Sequence, residues 1–401
     1  MNTTNTSITP DLRPARIVLT GMCALAIAMG IGRFAFTPLL PLMLRDGTLE
    51  VPMAHYWASA NYLGYLIGAL TATLLQRQVL AGLKLSLLSI GLMTLATGWI
   101  DSASLSLPGM VMRFGCGIFS AWALVCASSW CLTQLLHADA TARGSWIYAG
   151  VGAGIALTGL ITWLAGTAPA SLLWAALGLL ALLASSWIAF TPGGYPASSS
   201  ITTARPRTAD STLHIVRRYW RLILCYTLSG FGYILPATYL PALAQQHTSE
   251  ASLFGLTWPL FGTAALASVA LVALRLSHWP HAKTWALAQG LLAAGVMLTG
   301  LSNQLYLLAI AALLVGGTFM ITTLAGLQLA RLYEPQNPTP LLAMMTAGFA
   351  AGQIAGPVSI QFIGEVSLFG LSPLALSCTL AALLLALSVG WLWQQSNQHS
   401  F

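Results

Sequence analysis

The chain has 401 residues, of which 57% are hydrophobic and only 6% charged, with a net charge of +7. Soluble domains carry about a quarter charged residues, so a soluble fold of this size is excluded, and the continuous apolar runs exclude the alternation of a transmembrane barrel. The positive balance does not point to nucleic acid, because the basic residues sit in short loops between apolar runs.

A helix needs about 20 apolar residues to cross the hydrocarbon layer. The runs predict such helices at 17–41, 54–75, 81–100, 107–134, 145–166 and 170–190, and then at 219–244, 253–275, 283–302, 304–330, 339–365 and 369–393. The expected fold is therefore an all-α polytopic membrane protein with twelve transmembrane helices in two six-helix bundles. The bundles take 1–190 and 219–401, and the Pro-, Ser- and Thr-rich stretch 191–218 is expected as a mobile linker. Arg13 and Arg16 before the first run resemble the start of a signal peptide. A retained first helix is expected instead, because cleavage would leave the matching helix of the second half without a partner.

Lysine and arginine positions give orientation. Thirteen of the 16 fall on one side, in the N-terminal segment, the linker and alternate loops, while Arg45 stands alone on the other. Both termini and the linker are thus expected in the cytoplasm. Most of the 14 tryptophans lie near predicted helix ends and read as interfacial anchors.

The two halves echo each other. Gly30-Ile-Gly-Arg-Phe-Ala-Phe-Thr-Pro-Leu-Leu-Pro41 and Gly230-Phe-Gly-Tyr-Ile-Leu-Pro-Ala-Thr-Tyr-Leu-Pro241 share their opening Gly-x-Gly and closing Leu-Pro, and the same offset pairs Gly117 and Phe119 with Gly317 and Phe319. A fixed offset at separated places indicates a duplicated unit. Tyr233 then occupies the position equivalent to Arg33.

Arg33 and Arg113 lie inside predicted helices, both roughly 9 Å below the outer surface at 1.5 Å per residue. A charge in hydrocarbon costs about 2.5–3.5 kcal/mol even on permissive scales, so such a residue faces protein or water. Gly30, Arg33 and Thr37 form one small or polar stripe, Arg113, Gly117 and Ser120 another, and Asn61, Tyr65 and Gly68 a third. Gln353, Gln361 and Glu365 punctuate the eleventh helix, whereas helices 3, 6, 9 and 12 read as uniformly apolar and lipid-facing. The candidate substrate-binding or gating set is Arg33, Arg113, Asn61, Tyr65, Tyr233, Gln353, Gln361 and Glu365. For the arginines the competing role is to cap backbone carbonyls or to pair with Glu365. For Asn61 and Gln353 it is hydrogen bonding between helices, and for Gly64, Gly68, Gly150, Gly152, Gly154 and Gly159 it is close packing.

Of the nine acids only Glu365 falls in a predicted helix, at its outer end, with His55 as the other titratable group near that surface. Two buried cations without a buried anion tilt the cavity toward an anionic substrate. The six cysteines lie in apolar runs as packing residues, His278-Trp-Pro-His281 is interrupted by proline, and no metalloprotease, nucleophile-elbow or phosphate-loop pattern occurs. No enzyme, cofactor or metal is expected.

Gly30–Pro41, followed by Ala60-Asn-Tyr-Leu-Gly-Tyr-Leu-Ile-Gly-Ala69, resembles the YbfB/YjiJ-type branch of the major facilitator superfamily. Arg113-Phe-Gly-Cys-Gly117 is similar to that superfamily's helix-4 Arg-x-x-x-Gly motif, and Gly352-Gln-Ile-Ala-Gly-Pro357 to a helix-11 glycine–proline pattern. The loop Leu75–Lys84 departs from the superfamily's Gly-x-x-x-Asp-Arg pattern in having no acid. The resemblance implies a secondary transporter of the bacterial inner membrane working by alternating access, and supplies no substrate; the expected protein is a monomer that moves a small organic solute, with a proton as candidate coupling ion. The alternatives are a proton-coupled exporter of neutral or drug-like compounds and a non-transporting membrane sensor or assembly protein.

Overall fold

The computed structural model describes residues 13–75, 78–100, 106–191, 209–247, 255–276, 278–302, 304–334, 339–364 and 370–398. Among them the long helices are α1 (Pro14–Arg45), α2 (Val51–Thr71), α3 (Val79–Thr97), α4 (Ser106–His137), α5 (Thr141–Leu164) and α6 (Ala170–Ala189). They continue as α7 (Ala209–His247), α8 (Thr257–Leu276), α9 (His281–Leu301), α10 (Leu305–Tyr333), α11 (Thr339–Ile363) and α12 (Pro373–Gln398). Eleven are long and apolar enough to cross a membrane. The exception is α2, whose 21 residues include His55, Asn61 and three tyrosines that lower its hydropathy.

Packing repeats between the halves. The contacts α1–α5, α2–α4, α3–α4 and α3–α6 recur as α7–α11, α8–α10, α9–α10 and α9–α12. Across the seam α5 meets α8 and α2 meets α11, again an equivalent pair, and the end of α1 lies against α7. Helices already in lipid have no hydrophobic drive to associate, so tight helix contact relies on small residues. A side chain on Gly30 would overlap the Gly154 backbone where α1 and α5 cross, and one on Gly152 would overlap Leu266 where α5 meets α8 across the seam. Gly117 gives α4 the same closeness to the Asn61 carbonyl of α2.

Helix ends set two faces. At the first, which carries most of the lysines and arginines, Lys84 Nζ donates to the Ala189 and Thr191 carbonyls at 2.7 and 3.2 Å, closing the C-terminal end of α6. At the opposite face, Arg45 donates to the Gly166 and Ala168 carbonyls at 2.5 and 2.7 Å, and Asp46 accepts the Ala170 N–H that opens α6.

Three expectations change. α1 extends to Arg45 rather than 41, so Arg33 lies twelve residues from its end, about 18 Å along a helix. α7 begins at Ala209, with a kink at Tyr219, so the last ten residues of the expected linker are helical; 192–208 and the loop residues Gln76 and Arg77 lie outside the described residues. Several tryptophans near helix ends turn inward: Trp57, Trp174, Trp258 and Trp285 are fully buried, while Trp99, Trp187, Trp220, Trp279 and Trp393 are exposed as anchors. A buried indole needs an acceptor, and Trp57 finds Ser106 while Trp285 finds Gln289.

α3, α6, α9 and α12 expose leucines such as Leu88, Leu183, Leu291 and Leu383. They are not uniformly apolar, however. Gln289 on α9 is fully buried, accepts from Ser229 on α7 and donates to Ser388 on α12, at 2.7 and 2.9 Å.

Candidate functional site

The site grows from a defect in α1. After Leu25 the helix widens into a π turn over Ala26–Ile31, where Gly32 N–H reaches back to Ile27 O instead of Ala28 O. Pro38 lacks an amide hydrogen, so the turn that follows cannot complete the regular ladder. Carbonyls leave the helix and must be met by side chains, because no water is at hand in hydrocarbon. Ser120 Oγ donates to Ala28 O at 2.7 Å. Arg113 Nη1 donates to Gly32 O at 3.0 Å and Nη2 to Arg33 O at 2.8 Å. Asn61 Nδ2 donates to Arg113 O at 2.8 Å and more distantly to Gly32 O. Arg113 thus spends both Nη groups, and Asn61 its amide nitrogen, on backbone, while Arg113 Nε is buried without a partner and the guanidinium lies over the Phe36 ring at 5.2 Å.

Arg33 departs from this clamp. Its side chain is 3% exposed and crosses the seam to α11, where Nη2 donates to Gln353 Oε1. Gln353 is fully buried, and its Nε2 donates to the Tyr233 hydroxyl on α7. The guanidinium lies over the Tyr65 ring, 3.8 Å from its centre, which favours a cation on the ring's negative face. Phe34 and Tyr62 flank it at 5.4 and 5.7 Å. Tyr233 is stacked between Phe319 and Phe349, with centroids 5.3 and 5.4 Å away. No described carboxylate pairs with either buried arginine; Arg45 pairs with Asp46 where α1 ends, and Arg218 with Glu334 beside the kink at Tyr219.

The seam is sealed at the face opposite the basic one. Thr37 Oγ1 donates to Ala237 O at 2.7 Å, Tyr62 OH meets Thr238 Oγ1 at 2.7 Å, and His55 Nδ1 meets Tyr239 OH at 2.6 Å. The space left there, between Pro38, Pro241 and Trp258, is about 20 Å³, room for about one water. At the basic face a cavity of about 360 Å³ opens between α5, α8, α9 and α10, lined by Thr141, Ser145, His281, Thr284 and Gln328 among others.

Of the eight candidates, Arg33, Tyr65, Tyr233 and Gln353 meet in one cluster, and Arg113 and Asn61 sit behind it on the α1 break. Gln361 is exposed, eight residues along α11 from Gln353, and does not join them. Glu365 lies outside the described residues. Sequence reasoning passed over Tyr62, Thr238 and Tyr239, although the last two stand inside the repeated 230–241 stretch, and that repetition was the available signal. The aromatic stack of Phe319 and Phe349 had no signal beyond the Phe119–Phe319 pairing.

A family model described as "Uncharacterised MFS-type transporter YbfB" matches residues 25–391. Among curated proteins there is no match. Solved structures similar to this one include the nucleoside transporter NupG, crystallised as a point mutant, with a TM-score of 0.69 at 9% identity, covering 94% of this chain and 99% of that one. They also include a D-xylose–proton symporter, with a TM-score of 0.71 at 11% identity, covering 94% and 97%. At such identities the likeness is one of fold.

Proposed function

The chain belongs to the YbfB-type family of major facilitator transporters, and on that premise we propose that it moves a small organic anion across the bacterial inner membrane by alternating access. In this reading 1–190 and 219–401 are two six-helix bundles joined by 191–218, whose last ten residues form the start of α7, α2 completes a set of twelve spans, and the basic face with both termini is cytoplasmic. The protein works as a monomer. The seal of Thr37, Tyr62 and His55 against α7 is then the outer gate, shut, and the 360 Å³ cavity is an opening toward the cytoplasm.

The observation that carries the proposal is Arg33: a buried guanidinium held at the seam of the halves, with a neutral amide oxygen where an anion would serve it better. Arg113, the other buried cation, supports the reading by holding the α1 break that presents Arg33. The test is solute uptake into proteoliposomes with Arg33→Ala and Arg113→Ala. Unchanged transport of every solute that the unmodified protein carries would sink the assignment.

A second reading, proton-coupled export of a neutral compound, draws on His55, the titratable group hydrogen-bonded across the outer gate to Tyr239. Its mark would be transport that stops when the proton gradient is collapsed. A sensor or assembly protein would instead bind solute without flux.

A further inference from the structure

We propose that the solute is a monovalent carboxylate with a flat, apolar, aromatic body. This rests on Arg33 being the anion anchor and asks what kind of anion the surroundings admit.

The charge comes from counting donors. In a guanidinium, Nε–H and one of the Nη2 hydrogens point the same way and match the two oxygens of a carboxylate. On Arg33 that edge is half filled: Nη2 has Gln353 Oε1, and Nε is buried without a partner. One amide oxygen occupies a fork made for two. Gln353 can be displaced, since it is a side chain held at its other end by Tyr233. Arg113 offers no second fork. Its Nε is likewise buried without a partner, but its Nη groups are committed to the Gly32 and Arg33 carbonyls, which are main chain and cannot swing away. One guanidinium is available, so one negative charge is matched; a second would be buried unpaired, which is strongly unfavourable.

The body comes from the walls. Arg33 is surrounded by the rings of Tyr65, Phe34 and Tyr62, and beyond Gln353 stands the stack of Phe349, Tyr233 and Phe319. Polar groups for a hydroxyl-rich solute are few, since Tyr62 is engaged with Thr238 and Thr37 with Ala237. Flat apolar faces with one charged fork favour a ring bearing a carboxylate over a sugar-like molecule.

The experiment is a thermal-unfolding panel on the purified full-length protein at pH 7 with benzoate, benzamide, acetate and phthalate, followed by labelled-benzoate counterflow in proteoliposomes. Benzoate is expected to raise the unfolding temperature at concentrations at least tenfold lower than the other three. Arg33→Gln should abolish the benzoate shift, whereas Gln353→Ala, which frees the fork, should keep or strengthen it. Benzamide matching benzoate would overturn the proposal together with the anion reading. Acetate matching benzoate would overturn the aromatic body while the anion reading stands, and tighter binding of phthalate would overturn the single charge. No benzoate shift in the unmodified protein also overturns it, and Arg33-dependent uptake of a ringless anion would then leave the broader reading intact.

Discussion

Arg33 and Tyr233, which occupy equivalent positions in the two repeats, meet at a single side chain: Gln353 accepts from the first and donates to the second. The position equivalent to Gln353 is Ala153, so the link exists once and is asymmetric. Duplication supplied two similar helices facing each other across a seam. Divergence at three positions then placed a cation, a phenol and an amide where the halves meet.

Replacing Gln353 by glutamate puts a carboxylate on the Arg33 fork. An opposite charge at that distance stabilises both ions, so Gln353→Glu should raise the unfolding temperature and weaken anionic solute binding at least ~10-fold. Thermal unfolding and binding isotherms on the same preparation check both halves of this expectation.

Arg113 satisfies two carbonyls at the α1 break, each through a charged donor. Such bonds are worth about 1.5–3 kcal/mol apiece, and orphaned buried carbonyls add their own penalty. Arg113→Ala should destabilise the protein by about 3 kcal/mol or more. Arg113→Lys, with one compact ammonium in place of a fork, should recover only part of this, as measured by denaturant or thermal unfolding in detergent.

The Tyr62–Thr238 and His55–Tyr239 bonds join α2 to α7 at the sealed face. Removing one with Tyr62→Phe or Tyr239→Phe should shift the closed-to-open balance by about 1 kcal/mol, roughly fivefold. Modification of a cysteine placed at Leu42, inside the seal, by a membrane-impermeant maleimide should speed up accordingly. An unchanged rate in both variants would mean the seal does not depend on these hydroxyls.

Asp46 ties the loop after α1 to the start of α6. Burial there acts to raise its carboxyl, but the hydrogen bonds from Arg45 and the Ala170 N–H, with the Arg45 charge, outweigh it and hold the pKa below the usual value. A depressed carboxylate adds stability above its unfolded-state pKa, near 3.9, and loses it as the pH falls through the folded value. Asp46→Asn should therefore lower the unfolding temperature slightly at pH 7, by a margin that shrinks as the pH falls below about 3.9 toward the folded-state pKa. Unfolding scans across that range check the sign.

Much of this molecule was legible before any coordinates. Hydropathy located the helices because bilayer thickness dictates their length, and the Gly30–Pro41 echo exposed the duplication that the packing repeats. What stayed hidden was local and cooperative. Nothing in Ala26–Ile31 marks a π turn; it becomes visible only when Ser120, Arg113 and Asn61 are seen collecting its stray carbonyls. Hydropathy also misjudged faces. Trp285 and Gln289 pass for an anchor and an apolar-helix residue until their shared hydrogen bond shows both turned inward.

The Trp258 indole belongs to the second half yet stands tilted at 57° against Phe34 of the first, 6.3 Å between centroids, and it stacks on Phe261 at 4.9 Å. It is fully buried and its N–H has no acceptor. An indole in such a dry, unbonded state emits at the blue end of its range, and parting of the halves would let water reach that N–H and move the emission to the red. The seam thus carries its own fluorophore, whose colour would report any parting of the two halves in a chain with the other thirteen tryptophans replaced.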